Sequence, residues 1–473
     1  MKARSSMACN RQLHIAIFPW LAFGHLIPNL ELAKLIAQKG HKISFISTPR
    51  NIDRLPKLPH NLSSSITFVK LSLPRVDNLP ENSEATADVP VEKVPYLKIA
   101  FDGLQQPLAQ FLQVSSPDWI IYDFAPHWLP PIAAKLGISR VCFLIFSSWT
   151  VCFVGSSTLA MINGDDPRTT PEDFTVPPEW IPFPSNLAYR LHEAKLCVNI
   201  AQVNASGLSD LCRTGWAVSG CDMFVLRSCF EIESDWIKLI GEIHQKPVVP
   251  IGLLPPSLQA INKAEDSSSD NNIWVTISDW FGKQDKGSVV YVAFGSEVSL
   301  SQEEITELAL GLELSGLPFF WVLRKSDESC ELPEGFEERI KGRGIVWTSW
   351  APQLRILSHN SIGGFLTHCG MSSIIEELQF GRALVMLPFQ SDQGLNARIF
   401  EEKLVGKEIP RDEENGSFTR NEVAKTLRLV ILEDEGRIYR DKAKEISKIF
   451  GDKELHHRYV DTFIGKLLQF SKP

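Results

Sequence analysis

Short apolar runs that alternate with helix-periodic stretches dominate this chain, and the alternation narrows the available folds more than any other feature. In the first half, LHIAIF leads through a loop into IPNLELAKLIAQKG, where Pro28 suits a first helical turn and Gly40 suits the stop. HKISFIST and SITFVKLSL read as further strands, and a helix is expected from about Lys98 to Gln113. DWIIYD is a continuous apolar run that ends in a carboxylate, and RVCFLIF repeats the device. Runs of this kind belong to parallel strands buried on both faces. Strands separated by amphipathic helices predict a doubly wound α/β domain.

The texture changes from Pro247 to about Asn272, where PVVPIGLLPP gives way to the polar, low-complexity KAEDSSSDNN. That composition reads as a mobile linker and marks a domain boundary. Alternation then restarts with SVVYVAFGS, a helix from about Gln302 to Ser315, FFWVLR, GIVWTSW, IGGFLTH and ALVMLPF. The first domain is expected over residues 1–250 and the second over 251–452, with a terminal helix within 453–473. Two such halves would put a cleft at the carboxyl ends of their strands.

Charge and cysteine usage exclude several function classes. The formal net charge of -8, with no compact Lys/Arg run, argues against nucleic acid or an anionic membrane as the main partner. Nine cysteines are scattered singly with no CxxC pair, which reads as reduced thiols in a cytoplasmic protein and not as a disulfide framework or zinc site. The amino terminus imitates a signal peptide, but His14, Pro19 and Trp20 interrupt its apolar run, so Leu13 to Phe18 is expected to be a strand. No apolar stretch is long enough to span a membrane. Neither GxGxxG after a strand, nor GxxxxGK[ST], nor GxSxG occurs, which sets aside nicotinamide enzymes, phosphate-loop NTPases and common serine hydrolases.

The stretch FLTHCGMSSIIEE, Phe365 to Glu377, runs from a strand through His368, Gly370 and two serines into a helix. The first amides of a helix have no internal acceptors, and the dipole there is worth about +0.5 charge. With hydroxyls from Ser372 and Ser373 beside them, this forms a phosphate seat. The same residues also compose a serine-capped helix that binds nothing, and His368 alone could be a core histidine.

The surrounding segment, WAPQLRILSHNSIGGFLTHCGMSSIIEELQFGRALVMLPFQSDQ from Trp350 to Gln393, resembles the signature box of plant UDP-dependent glycosyltransferases. WAPQ, HCG, the glutamate six residues after that glycine, and the closing D-Q all fall in register. FPWLAFGHLIP, STPRNIDRLP and VVYVAFGSE extend the likeness over nearly the whole chain, closest to family-91-type members, several of which extend a sugar already present on a terpenoid or flavonoid glycoside. The resemblance implies the GT-B fold, two Rossmann-like domains facing a cleft, with the carboxyl-terminal helix crossing back to the first domain. It implies a UDP-sugar donor as co-substrate, a small-molecule acceptor, no cofactor and no metal; monomer is the default state.

The resemblance also assigns roles by position. Trp350 would stack on uracil with Ala351 beside it, Gln353 would bond the nucleoside, and Glu376 would accept from ribose hydroxyls. His368, Gly370, Ser372, Ser373 and, from the FGS loop, Ser296 would hold the diphosphate. Asp392 and Gln393 would bind the donor sugar, where Met371 replaces the tryptophan usual in the family. A thioether cannot copy an indole's shape or its N–H, so this position bears on donor choice: glucose first, with rhamnose and a binding protein that has lost catalysis as alternatives. His25, expected in a loop just before a helix, would be the general base and Asp123 its orienting partner. Trp20, Phe124 and Phe146 are expected to line the acceptor pocket.

Overall fold

The computed structural model describes residues 11–256, 268–295, 297–324 and 331–470, with the backbone alone described for 268–272. It divides into two compact units: Met1–Thr169 with Val198–Leu254 and Lys453–Pro473, and Thr170–Cys197 with Pro255–Asp452. In the first unit β1 (His14–Phe18), β2 (Lys42–Ser47), β3 (Ile66–Lys70), β4 (Trp119–Tyr122), β5 (Ser139–Leu144), β6 (Met223–Leu226) and β7 (Val248–Pro250) form one sheet in the order β3-β2-β1-β4-β5-β6-β7. In the second, β8 (Val289–Ala293), β9 (Phe319–Val322), β10 (Gly344–Trp347), β11 (Ile362–Thr367), β12 (Ala383–Met386) and β13 (Gly406–Glu408) run in the order β10-β9-β8-β11-β12-β13. Every pairing in both sheets is parallel. The first six strands of each unit thus follow the same winding, with a switch point beside the first and fourth strands, β1/β4 and β8/β11.

The core of the first unit is the apolar filling of β1, β2, β4 and β5 against the helix Phe23–Gln38, through Leu26, Leu30, Ala33 and Ile36. The terminal helix Lys453–Phe470 lays Val460, Phe463, Ile464 and Leu467 into that same core. Each of these side chains contributes about 1.5–3 kcal/mol on burial. Trp119 Nε1 also donates to the Leu467 carbonyl at 3.3 Å.

Several expectations need correction. The first helix begins at Phe23, so Pro28 lies in its interior and His25 sits in its first turn, not in a loop before it. The Ala22 carbonyl accepts from the amides of both His25 and Leu26 at 2.9 and 2.8 Å, which starts the helix ahead of the proline. The single helix expected over Lys98 to Gln113 is two, Val94–Asp102 and Gln105–Ser115. The break falls at Gly103, where a Cβ would lie 2.4 Å from the Pro74 ring. β6, β7 and β13, of four, three and three residues, were not anticipated. Within the polar run read as linker, Lys263 to Asp266 and Ser267 lie outside the described residues, while Ser268–Phe281 is helical.

The segment Thr170–Cys197, read from sequence as part of the first domain, is grouped with the second unit. Charge explains the attachment. Arg190 reaches Glu408 at 3.1 Å and Glu413 at 2.5 Å, while Arg398 bridges Glu193 at 2.5 Å and Glu408 at 2.6 Å. Glu193 and Glu408 are buried, so these ions are held by mutual pairing and not by water. Burial pushes the Glu408 carboxyl up, and the two arginines oppose that rise.

Candidate functional site

In the first unit, the carboxyl ends of β1 and β4 bring His25 to Asp123. Asp123 Oδ2 lies 2.9 Å from His25 Nδ1 and accepts the Trp20 amide at 2.6 Å, while Oδ1 accepts the Ala125 amide at 3.2 Å. Both side chains are buried. A carboxylate oxygen accepts, so Nδ1 carries a proton, and in the neutral ring the lone pair then lies on Nε2. The pair therefore holds an imidazole in the tautomer a general base needs, with a buried counter-charge behind it. Asn29 Nδ2 donates to the His25 carbonyl at 3.0 Å and steadies that turn.

The aromatic residues expected here divide into two kinds. Phe124 and Phe146, both half-buried, flank the His25 ring with centroids at 5.6 and 5.7 Å. The Trp20 ring is 3% exposed and packs on Phe101 and Phe124 at 5.2 and 6.1 Å. What Trp20 brings to the pair is its backbone amide, a contribution that no side-chain reading reveals.

In the second unit β11 delivers His368 to the mouth of the helix Met371–Leu378. No side chain caps this helix, and its opening amides have no intrahelical acceptor. Gly370 has ordinary extended geometry, whereas Cys369 takes the left-handed φ of 68°. Gly370 is needed for space: a Cβ there would meet His368 Nε2 at 2.5 Å, and one on Gly295 would meet the same ring at 2.9 Å. Two glycines from different loops thus accommodate one imidazole. Burial pushes the His368 imidazole down to about 4, so it is neutral near pH 7, and among the described residues its buried Nδ1 has no partner.

Gln353 of the box and Asn396, just beyond its end, reach this helix and the turn before it. Gln353 Nε2 donates to Glu376 Oε2 at 2.8 Å. Trp350 keeps a half-exposed indole, and its carbonyl is anchored by Trp347 Nε1 at 3.0 Å. The Ala351 carbonyl accepts the Gln353 amide at 2.8 Å. Asn396 Nδ2 donates to Asp392 Oδ2 at 2.9 Å and to the Cys369 carbonyl at 3.0 Å, which ties the D-Q turn to the HCG turn. Gln393 is buried, and its Oε1 already accepts the Phe389 and Gln390 amides at 2.9 and 3.0 Å, so only its Nε2 remains to address a ligand. Ser296 lies outside the described residues. Asn396 went unread in the sequence, although its position four residues after Asp392 on a helix could have flagged it.

Glu376 and Glu377 are neighbours with opposite environments. Glu376 is half-buried against Gln353, whereas Glu377 is fully buried and neither of its oxygens has a hydrogen-bond partner among the described residues. Burial pushes the Glu377 carboxyl well above the usual range, against a modest pull from Arg382. A folded-state pKa raised above the unfolded one gives stability that is fully present below the unfolded pKa and is lost as pH rises towards the folded pKa. Melting temperature is therefore expected to fall from about pH 5 to pH 8 by an amount that Glu377→Gln removes. An identical slope in the two proteins would contradict that origin.

Two doubly wound units of this topology define the GT-B class of glycosyltransferase, and the comparisons with known proteins agree. Residues 268–459 match the model of the family described as UDP-glucoronosyl and UDP-glucosyl transferase. UDP-glycosyltransferase 91D2 of Stevia rebaudiana is 52% identical over 97% of this chain and 95% of its own. Soyasaponin III rhamnosyltransferase of Glycine max is 45% identical over 98% and 97% of the two chains. Among solved structures, Phytolacca americana UGT2, complexed with UDP-2fluoro-glucose and pterostilbene, is similar with a TM-score of 0.72 at 26% identity, over 97% of this chain and 100% of the other. The chain belongs to the plant UDP-glycosyltransferase family. It is a glycosyltransferase, of a family whose co-substrate is a UDP-sugar. Among the described residues no helix is long and apolar enough to cross a membrane, and no group of His, Cys, Asp and Glu has the makings of a metal centre.

Proposed function

We propose that the protein transfers a hexose, glucose in the first instance, from its UDP donor to a hydroxyl of a small metabolite that already carries a sugar, with inversion at the anomeric carbon. His25 Nε2 takes the acceptor proton as the oxygen attacks the anomeric carbon, and Asp123 stabilises the imidazolium that results. The C–O bond to the diphosphate breaks in the same displacement, and UDP leaves with both bonding electrons. Trp350 and Ala351 receive the uracil, and Gln353 and Glu376 the ribose. Ser296, Ser372, Ser373, the amide at Gly370 and a neutral His368 donate to the diphosphate as charge develops on it. Asp392 and the Gln393 amide nitrogen take the sugar hydroxyls, while Phe124 and Phe146 offer the acceptor an apolar face beside the base.

The observation that carries this reading is the His25–Asp123 pair, with its tautomer fixed and its lone pair left on Nε2. The sugar-extending part is supported by the likeness to the soyasaponin III rhamnosyltransferase, which also keeps rhamnose as a second donor reading. Turnover of UDP-glucose, UDP-rhamnose and UDP-galactose against free and glycosylated aglycones tests both. Transfer of glucose to the glycosylated set is expected; transfer to free aglycones alone would overturn the acceptor class.

Met371 is buried in the first turn of the phosphate-seat helix. Met371→Trp places a larger, N–H-bearing ring beside the donor sugar. Its ratio of kcat/KM for UDP-glucose over UDP-rhamnose is expected to change by about tenfold, the scale of a single side-chain contact in a specificity pocket. An unchanged ratio would remove this position from donor selection.

A further inference from the structure

Tyr291 lies on β8, outside the signature box, with its ring packed near Phe365 and Phe320 at centroid distances of 5.0 and 6.4 Å. It is 1% exposed, yet its hydroxyl is placed 3.2 Å from Gln353 Oε1, and Gln353 Nε2 in turn donates to Glu376 Oε2 at 2.8 Å. Chemistry allows this relay one polarity. A carboxylate accepts and cannot donate, so the amide nitrogen must face Glu376. The amide oxygen then faces Tyr291, whose hydroxyl must donate. Burial, reinforced by the nearby Glu376 charge, pushes the phenol well up, so the donor proton stays in place.

We propose that Tyr291 is a positioning residue for the nucleotide. By pinning the Gln353 amide, it holds the Glu376 carboxylate in the orientation that accepts ribose hydroxyls. The inference rests on the reading of Gln353 and Glu376 as ribose ligands. Without the phenol proton the amide oxygen loses its buried donor, and only the Glu376 end is left to oppose a turn that would set acceptor against acceptor. A hydroxyl fixed in the core thereby reaches the half-buried rim through one side chain, and only ligands that engage the rim through their ribose should register its loss.

The test is calorimetric titration of UDP and of 2′,3′-dideoxy-UDP into the full chain, its Tyr291→Phe variant and its Glu376→Ala variant. Tyr291→Phe keeps the ring and its packing. It is expected to weaken UDP by about fivefold, the scale of one net hydrogen bond, and to leave the dideoxy nucleotide unaffected. General damage to the fold would weaken both nucleotides alike, and that result, or no loss for UDP, overturns the proposal. Glu376→Ala is expected to erase the preference for UDP over its dideoxy analogue. If the preference survives there, the ribose assignment itself fails and the proposal falls with it, a failure distinct from that of Tyr291 alone.

Discussion

His25→Ala is expected to lower kcat by ~10²–10⁴-fold, the range that a positioned general base supplies. UDP affinity should stay near that of the parent, because the partners of His25 all belong to the first unit and none is a nucleotide ligand in this account. The substitution also leaves the buried Asp123 with one donor fewer, which costs stability as well as rate. His25→Gln separates the two effects. Its amide can still donate to Asp123, but it has no basic nitrogen, so a kcat as low as that of the alanine variant with a recovered melting temperature identifies lost proton abstraction. Recovery of turnover in the glutamine variant would place the base elsewhere.

Asp123→Ala is expected to be nearly as damaging, about 10³-fold in kcat, since it frees the imidazole to adopt either tautomer and removes the counter-charge of the imidazolium. The geometry adds a finer expectation for Asp123→Asn. The oxygen that serves both Trp20 and His25 lies at 2.6 and 2.9 Å, whereas the other oxygen serves only Ala125 at 3.2 Å. An asparagine therefore sets its oxygen towards Trp20 and His25 and its nitrogen towards Ala125, giving up one long bond and the charge but keeping the tautomer. Asp123→Asn should accordingly lose about tenfold less rate than Asp123→Ala, the charge being the only catalytic element removed. Equal losses in the two variants, measured as single-turnover rates at saturating donor, would show that tautomer control is not what Asp123 supplies.

What could be read from sequence followed how local the physical cause is. Long buried strands such as IGGFLT and helices with their own punctuation were legible because periodicity and end signals lie in the chain itself. The resemblance of the box picks out Glu376 and not Glu377, a choice that local chemistry cannot make, because the two differ only in which face of the helix they occupy. β13, of three residues, carries too few side chains to show a period. The attachment of Thr170–Cys197 to the second unit depends on ion pairs between residues more than two hundred positions apart, Arg190 with Glu408 and Arg398 with Glu193, and no window of sequence contains them. The start of the first helix was misplaced because Pro28 imitates an N-terminal signal, while the actual start is set by the Ala22 carbonyl. Trp20 is expected in the site for its ring, and its amide also reaches Asp123, a contact that leaves no mark in a sequence because any residue's backbone could supply it.

In the proposed reaction a single displacement carries the acceptor oxygen, deprotonated by His25, onto the anomeric carbon from the side opposite UDP. The anomeric configuration of the product, read by proton NMR from the coupling of the new anomeric hydrogen, tests it most directly. From α-linked UDP-glucose the β-glycoside is expected throughout the early time course. An α-glycoside as the first product would require two displacements or front-face attack, and would contradict it.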